Sequence, residues 1–146
     1  MRVYLDTCSL QRPLDSKTQI RIVLEAEAVL GILTLCESGA VELVSSDALL
    51  FETERNPNMS RREYALAALS QAKIFVGVTE TVEKRATELN AVGLRPLDAL
   101  HLASAEAAQA HYFCTCDDKL LTQARAVESL KVKVVSPIEL VEEISA

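Results

Sequence analysis

Several carboxylates stand directly after short apolar runs, where a strand would end. Asp6 follows Val3-Tyr4-Leu5, and Asp117, with Asp118 beside it, follows the run from Tyr112 to Cys116. Asp47, Glu52 and Glu54 come just after Val41-Glu42-Leu43-Val44. Asp98 lies in the first turn of a helix that Arg95-Pro96 opens. Carboxylates gathered in one place repel one another when ionised and stay charged only beside a cation. Hard oxygen donors select Mg²⁺ or Mn²⁺ over zinc. Such a site activates water and stabilises charge on a phosphorus in transit, so phosphodiester hydrolysis is its natural chemistry.

Each carboxylate also has an ordinary structural explanation. Asp98 near a helix N-terminus is favoured by the helix dipole alone. Asp47 and Asp118 suit helix N-caps, and Glu52 and Glu54 suit a solvated helix face. Asp6 is harder to explain away, since it ends the first strand and no partner is evident. All of these explanations must hold together to remove the cluster.

The elements that must bring these residues together alternate along the chain. Strands are expected at Val3–Leu5, Val41–Val44, Ile74–Val78, Tyr112–Cys116 and Val132–Val135. Between them, apolar spacing predicts helices over Gln19–Glu37, from Asp47 to the Asn56-Pro57-Asn58 break, and from Ser60, with Glu63 as a capping-box partner, to Gln71. Further helices are expected over Thr81–Asn90, from Pro96 toward Ala110, from Asp118 to about Val127, and from Pro137 to Ile144. This alternation implies a three-layer α/β/α fold with a central, mostly parallel sheet of about five strands, and one domain over residues 1–146. In such sheets ligands bind beyond the carboxyl ends of the strands, where the acidic residues fall.

Composition narrows the function classes. The chain has 146 residues and a formal charge of −6, which argues against a broadly basic nucleic-acid binder. An acidic pocket filled by a cation would reverse the local sign. The four cysteines, Cys8, Cys36, Cys114 and Cys116, match no zinc spacing and read as buried free thiols, with Cys114 and Cys116 on one strand face. No signal-peptide core and no membrane-spanning stretch is evident, so a cytoplasmic protein is expected. There is no P-loop, Gly-rich cradle or Gly-x-Ser-x-Gly elbow.

Val3-Tyr4-Leu5-Asp6-Thr7, the stretch from Ser45 to Glu54, Pro96-Leu97-Asp98-Ala99-Leu100-His101-Leu102-Ala103 and Thr115-Cys116-Asp117 together resemble a PIN domain, nearest in type to the VapC-like ribonuclease toxins. The resemblance covers essentially the whole chain. It implies a Mg²⁺- or Mn²⁺-dependent endoribonuclease, commonly a homodimer held inactive by an antitoxin protein. It assigns the family's acidic positions to Asp6, Glu52 (with Glu54 as rival), Asp98 and Asp117 (with Asp118 adjacent), and a hydroxyl position to Thr115. Cys8 departs from the Asn or Ser common two residues after the first Asp.

The mechanism implied is in-line attack of an activated water on an RNA phosphodiester. Asp6, Asp98 and Asp117 would hold the metal, and Glu52 would orient or deprotonate the nucleophile. Arg12 and Arg95, near these residues in sequence, are the favoured RNA contacts. His101, one turn after Asp98, reads as a packed or surface histidine. The alternative is a catalytically silent PIN-like module that binds RNA or a protein. A phosphatase of the haloacid dehalogenase type wants an Asp where Cys8 stands. A receiver domain wants a Lys where Ser136-Pro137 stands.

Overall fold

The computed structural model describes all 146 residues. Five parallel strands form one sheet: β1 (Arg2–Leu5), β2 (Glu42–Ser46), β3 (Ile74–Val76), β4 (Tyr112–Cys114) and β5 (Lys133–Val135), in the order β3-β2-β1-β4-β5. Eight helices connect and cover them: α1 (Thr7–Gln11), α2 (Ile20–Ser38), α3 (Asp47–Glu54), α4 (Met59–Leu69), α5 (Glu80–Ala91), α6 (Pro96–Ala107), α7 (Asp118–Arg125) and α8 (Pro137–Ser145). The expected α/β layering and parallel sheet are both present.

Val3, Tyr4 and Leu5 are wholly buried, as a central strand covered on both faces requires. The core around them is aliphatic, with Leu43, Leu49, Leu102, Leu140 and Val134 among its members. From β1 the chain moves outward through β2 to β3, then returns to lay β4 on the other side of β1. The strand order therefore reverses between β1 and β4, and a crevice opens there at the carboxyl ends of the strands. Leu5 pairs with Cys114, so the residues that follow each strand, Asp6 and Thr115, emerge side by side.

Several boundaries differ from the sequence expectation for local reasons. Segment 7–14 folds into α1 and a 3₁₀ turn at Arg12–Leu14, an element too short to show helical periodicity. Asp6 caps α1, its Oδ1 accepting from the Ser9 N–H at 3.0 Å. Of the N-cap candidates in Ser45-Ser46-Asp47, Ser46 caps α3, and Asp117 rather than Asp118 caps α7. Asn58 starts α4, which places Ser60 inside the helix rather than at its cap. Strand β4 ends at Cys114, so Cys116 lies beyond it; both sulfurs still meet Ser9 Oγ, each at 3.7 Å. All four cysteines are free thiols, and Cys8 is exposed rather than buried. No helix is long and apolar enough to cross a membrane.

Candidate active site

A cleft of about 480 Å³ opens at the crevice between β1 and β4. Its walls include Asp6 from the end of β1, Glu52 from α3, Asp98 from α6 and Asp117 from the start of α7. Four segments widely separated in sequence thus present carboxylates to one space. Glu54 is exposed and lies outside the cleft: two residues along a helix turn the side chain about 200° away from Glu52. Asp118 also lies outside, in a two-pronged pair with Arg21 at 2.7 Å on each oxygen. Arg21 holds that carboxyl below its ordinary range.

Asp6 is the deepest of the four, at 6 % exposure. Its backbone N–H donates to the Cys114 carbonyl at 3.1 Å, which ties it to the sheet. Its Oδ1 accepts from Ser9 N–H at 3.0 Å and from the Cys8 thiol at 3.1 Å, so Cys8 supplies a donor of the kind Asn or Ser would. Burial raises the Asp6 carboxyl above its ordinary pKa, and the Thr115, Cys8 and Ser9 groups beside it offset only part of that rise. Thr115 is buried, and its Oγ1 accepts from the Asp117 N–H at 3.0 Å. It shapes the turn that carries Asp117 into the cleft.

Glu52 has the opposite balance. Burial alone would raise its carboxyl, but hydrogen bonds from His101 and Thr7 outweigh this and hold it below its ordinary range. His101 Nε2 lies 3.1 Å from Glu52 Oε1, and the Thr7 hydroxyl donates to the same oxygen. His101 is a packed histidine, as one of the two expected readings had it, 2 % exposed, but it is also hydrogen-bonded at both ring nitrogens and touches the site through Glu52. Thr7 was hidden in sequence because α1 was not legible. The spacing of His101 from Asp98 was the available signal for its place beside the site.

The two arginines part company. Arg95, 66 % exposed, lines the cleft with its Nε 3.1 Å from Asp98 and its Nη2 3.5 Å from Asp117. Arg12 does not line the cleft. It is committed to Glu25, at 2.9 and 3.1 Å, and to Asp15 at 2.8 Å, and Glu25 is 1 % exposed. The 3₁₀ turn after α1 carries Arg12 away from Asp6 despite their closeness in sequence. Arg55, which flanks the Asn56-Pro57-Asn58 break, and Gln11 also line the cleft. Arg55 stacks over the Phe51 ring at 4.3 Å, and Gln11 accepts from Asn56 at 3.3 Å.

No three acidic, histidine or cysteine side chains are arranged to enclose an ion by themselves. The donors nevertheless suit a hard cation. They are carboxylate oxygens on an open cleft, and a guanidinium already bridges two of them. Mg²⁺ keeps several waters and is commonly held by one or two carboxylates plus substrate phosphate, so it needs no preformed cage.

The family model for the PIN domain matches residues 3–127. No curated protein matches the sequence. Solved structures of similar fold include VapBC2 of Rickettsia felis, bound to a DNA fragment from its promoter, at 12 % identity and TM-score 0.60, covering 93 % of this chain and 98 % of that one. Another is VapC20 of Mycobacterium tuberculosis, a toxin that cleaves the sarcin–ricin loop, at 18 % identity and TM-score 0.55, covering 90 % and 98 %. A third is PAE2754 of Pyrobaculum aerophilum, at 14 % identity and TM-score 0.54, covering 99 % and 98 %. With its family model matched over most of its length and its acidic cleft at the strand-order reversal, this chain belongs to the PIN-domain family.

Proposed function

We propose that this protein is a Mg²⁺- or Mn²⁺-dependent endoribonuclease, the toxin of a toxin–antitoxin pair. The observation that carries the reading is the gathering of Asp6, Glu52, Asp98 and Asp117 on one cleft, with a cationic side chain drawn in among them. RNA as the substrate class and an antitoxin partner are supported by the likeness to VapC folds, and a homodimer is what the family resemblance implies.

Asp6, Asp98 and Asp117 would hold the metal. When bound, the ion supplies positive charge for the phosphoryl oxygens and acidifies water. Arg95, now paired with Asp98 and Asp117, would yield those oxygens to the metal and stand beside it to meet a phosphate of the RNA. Glu52, held ionised by His101 and Thr7, orients the attacking water and accepts its proton. Asp6 and Asp117, each anchored through Oδ1 to the start of a helix, keep fixed positions.

The test is an Asp6→Asn variant assayed on defined RNAs with and without Mg²⁺ or Mn²⁺. Asn preserves the cap on α1, so the variant should fold and lose metal-dependent cleavage. Unchanged cleavage would remove Asp6 from the site. Wild-type protein that binds neither metal specifically would favour a silent binding module.

A further inference from the structure

A chain of buried polar groups runs behind the cleft, and the roles assigned so far leave most of it without a purpose. Tyr4 is wholly buried in β1, two residues before Asp6 and therefore on the same face of the strand. Its hydroxyl lies 2.7 Å from Ser46 Oγ and 2.7 Å from His101 Nδ1. Ser46 Oγ also accepts from the Leu49 N–H at 3.1 Å, as the cap of α3. On its other side the His101 ring reaches Glu52 Oε1 at 3.1 Å. The Tyr4 and His101 rings meet edge to face, 5.8 Å apart at 72°, and Tyr4 stacks on Phe113 at 5.2 Å. Tyr4, itself backed by Phe113, thus fixes the imidazole by packing as well as by a hydrogen bond.

A buried imidazole and phenol are costly unless every polar atom is satisfied, and an apolar side chain would fill this part of α6 without that cost. Ala99, Leu102, Ala103 and Ala105 around His101 are all buried and apolar. The direction of the chain follows from its end. An ionised carboxylate only accepts, so Nε2 carries the proton that faces Glu52. In the neutral ring Nδ1 then accepts from the Tyr4 hydroxyl, which in turn accepts from Ser46. Each donor along the line has one acceptor. The Thr7 hydroxyl and His101 both donate to Oε1, while Oε2 has no protein partner.

We propose that His101, braced by Tyr4, is a positioning residue that fixes Glu52 through Oε1 and reserves Oε2 for the water consumed in the reaction. This rests on the nuclease reading above. The ring touches neither substrate nor metal; it removes the rotational freedom of the carboxylate and keeps it in its proton-accepting form. Partners of this kind typically change rates by roughly tenfold to a hundredfold when removed.

The experiment compares His101→Leu, His101→Gln, Tyr4→Phe and Glu52→Gln on a defined RNA with saturating Mn²⁺, beside wild type and Asp6→Asn. His101→Leu should lower kcat roughly tenfold to a hundredfold with KM changed less than about twofold. His101→Gln, whose amide nitrogen reaches the place of Nε2, should recover most of the loss, and Tyr4→Phe should fall between. In a Glu52→Gln background, His101→Leu should cost nothing further. Full kcat in His101→Leu, or an equal further loss in the Glu52→Gln background, would overturn the proposal. So would a Gln variant no better than Leu. If the Leu variant does not fold, Tyr4→Phe and His101→Gln carry the same comparison. Nitrogen-15 NMR of the His101 ring in wild type gives a reading independent of cleavage. The proton should reside on Nε2 and exchange faster in Glu52→Gln. A proton on Nδ1 with Nε2 bare would refute the positioning, whereas an inactive wild type with the Nε2 proton in place would refute the nuclease reading alone.

Discussion

Arg12 gives the sharpest separation between a structural and an RNA-binding role. Replacing it by Met removes the contacts at 2.9 and 3.1 Å to Glu25, a carboxylate that is 1 % exposed. Its other cationic partner is Arg21 at 3.5 Å, on the opposite oxygen and from a side chain that is half-exposed. Removing one partner of a buried pair costs about 3–5 kcal/mol, because the remaining charge stays buried. Arg21 covers part of that loss, so the expected cost lies near the lower end, about 3 kcal/mol. A domain of this length unfolds with an entropy of roughly 0.3 kcal/mol per degree, which converts the cost into a fall in Tm of about 10 °C. Thermal unfolding followed by circular dichroism reads this directly. The double variant Arg12→Met, Glu25→Leu should recover most of the loss, since an apolar pair of similar volume removes the stranded charge. An unchanged Tm together with a raised KM for RNA would refute the reasoning and return Arg12 to the substrate surface.

Two further outcomes follow from the charges in the cleft. Arg95→Ala should tighten Mn²⁺ binding severalfold by calorimetry, because two exposed pairs worth about 0.2–1 kcal/mol each no longer compete with the ion; weaker or unchanged binding would show that Arg95 does not hold the carboxylates. Asp6→Asn should raise the Tm of the metal-free protein at neutral pH by a few degrees. The folded-state pKa of Asp6 is raised by burial, so its ionisation costs stability above that pKa and nothing below the unfolded value. The gap between variant and wild type should therefore close as pH falls toward the ordinary Asp pKa. A lower Tm at neutral pH would mean that the Asp6 carboxylate is stabilised in place.

Legibility in the sequence tracked how much of each signal is local. A fully buried parallel strand is a continuous apolar run, so Val3-Tyr4-Leu5 and the Asp that ends it were readable. The placement of Asp117 followed from the rule about strand ends, whereas Asp98 opens α6, which follows a helix, and was assigned by the family resemblance. Choosing Glu52 over Glu54 required the rotation of α3, which depends on tertiary packing because eight residues with an apolar start fit either orientation. Segment 7–14 was silent because five helical residues show no period, and it held Thr7 and the turn that redirects Arg12. Nearness in sequence did track position on the cleft wall for Arg95, three residues from Asp98 on one helix start, and did not for Arg12, across a turn. His101 was visible as a neighbour of Asp98, but its partner Tyr4 is 97 residues away, and no local pattern joins them.

The net charge of −6 and the proposed activity on a polyanion are compatible once the cleft's carboxylates are treated as a set that requires compensation. The protein compensates them in two ways that differ in permanence. Asp6 and Glu52 are held by neutral donors: backbone and thiol for one, imidazole and hydroxyl for the other. Neutral donors fix geometry without adding charge, so these two carboxylates keep their full demand for a cation. Asp98 is instead met by the exposed Arg95, which also reaches the Oδ2 of Asp117, whose Oδ1 caps α7. A cation held by these carboxylates would therefore have to replace only a surface side chain, which would remain beside the site as a positive group for phosphate. If both pairs were bridged by arginines as firmly as buried Glu25 is by the partly buried Arg12, the same four carboxylates would form a structural network with no capacity for an ion.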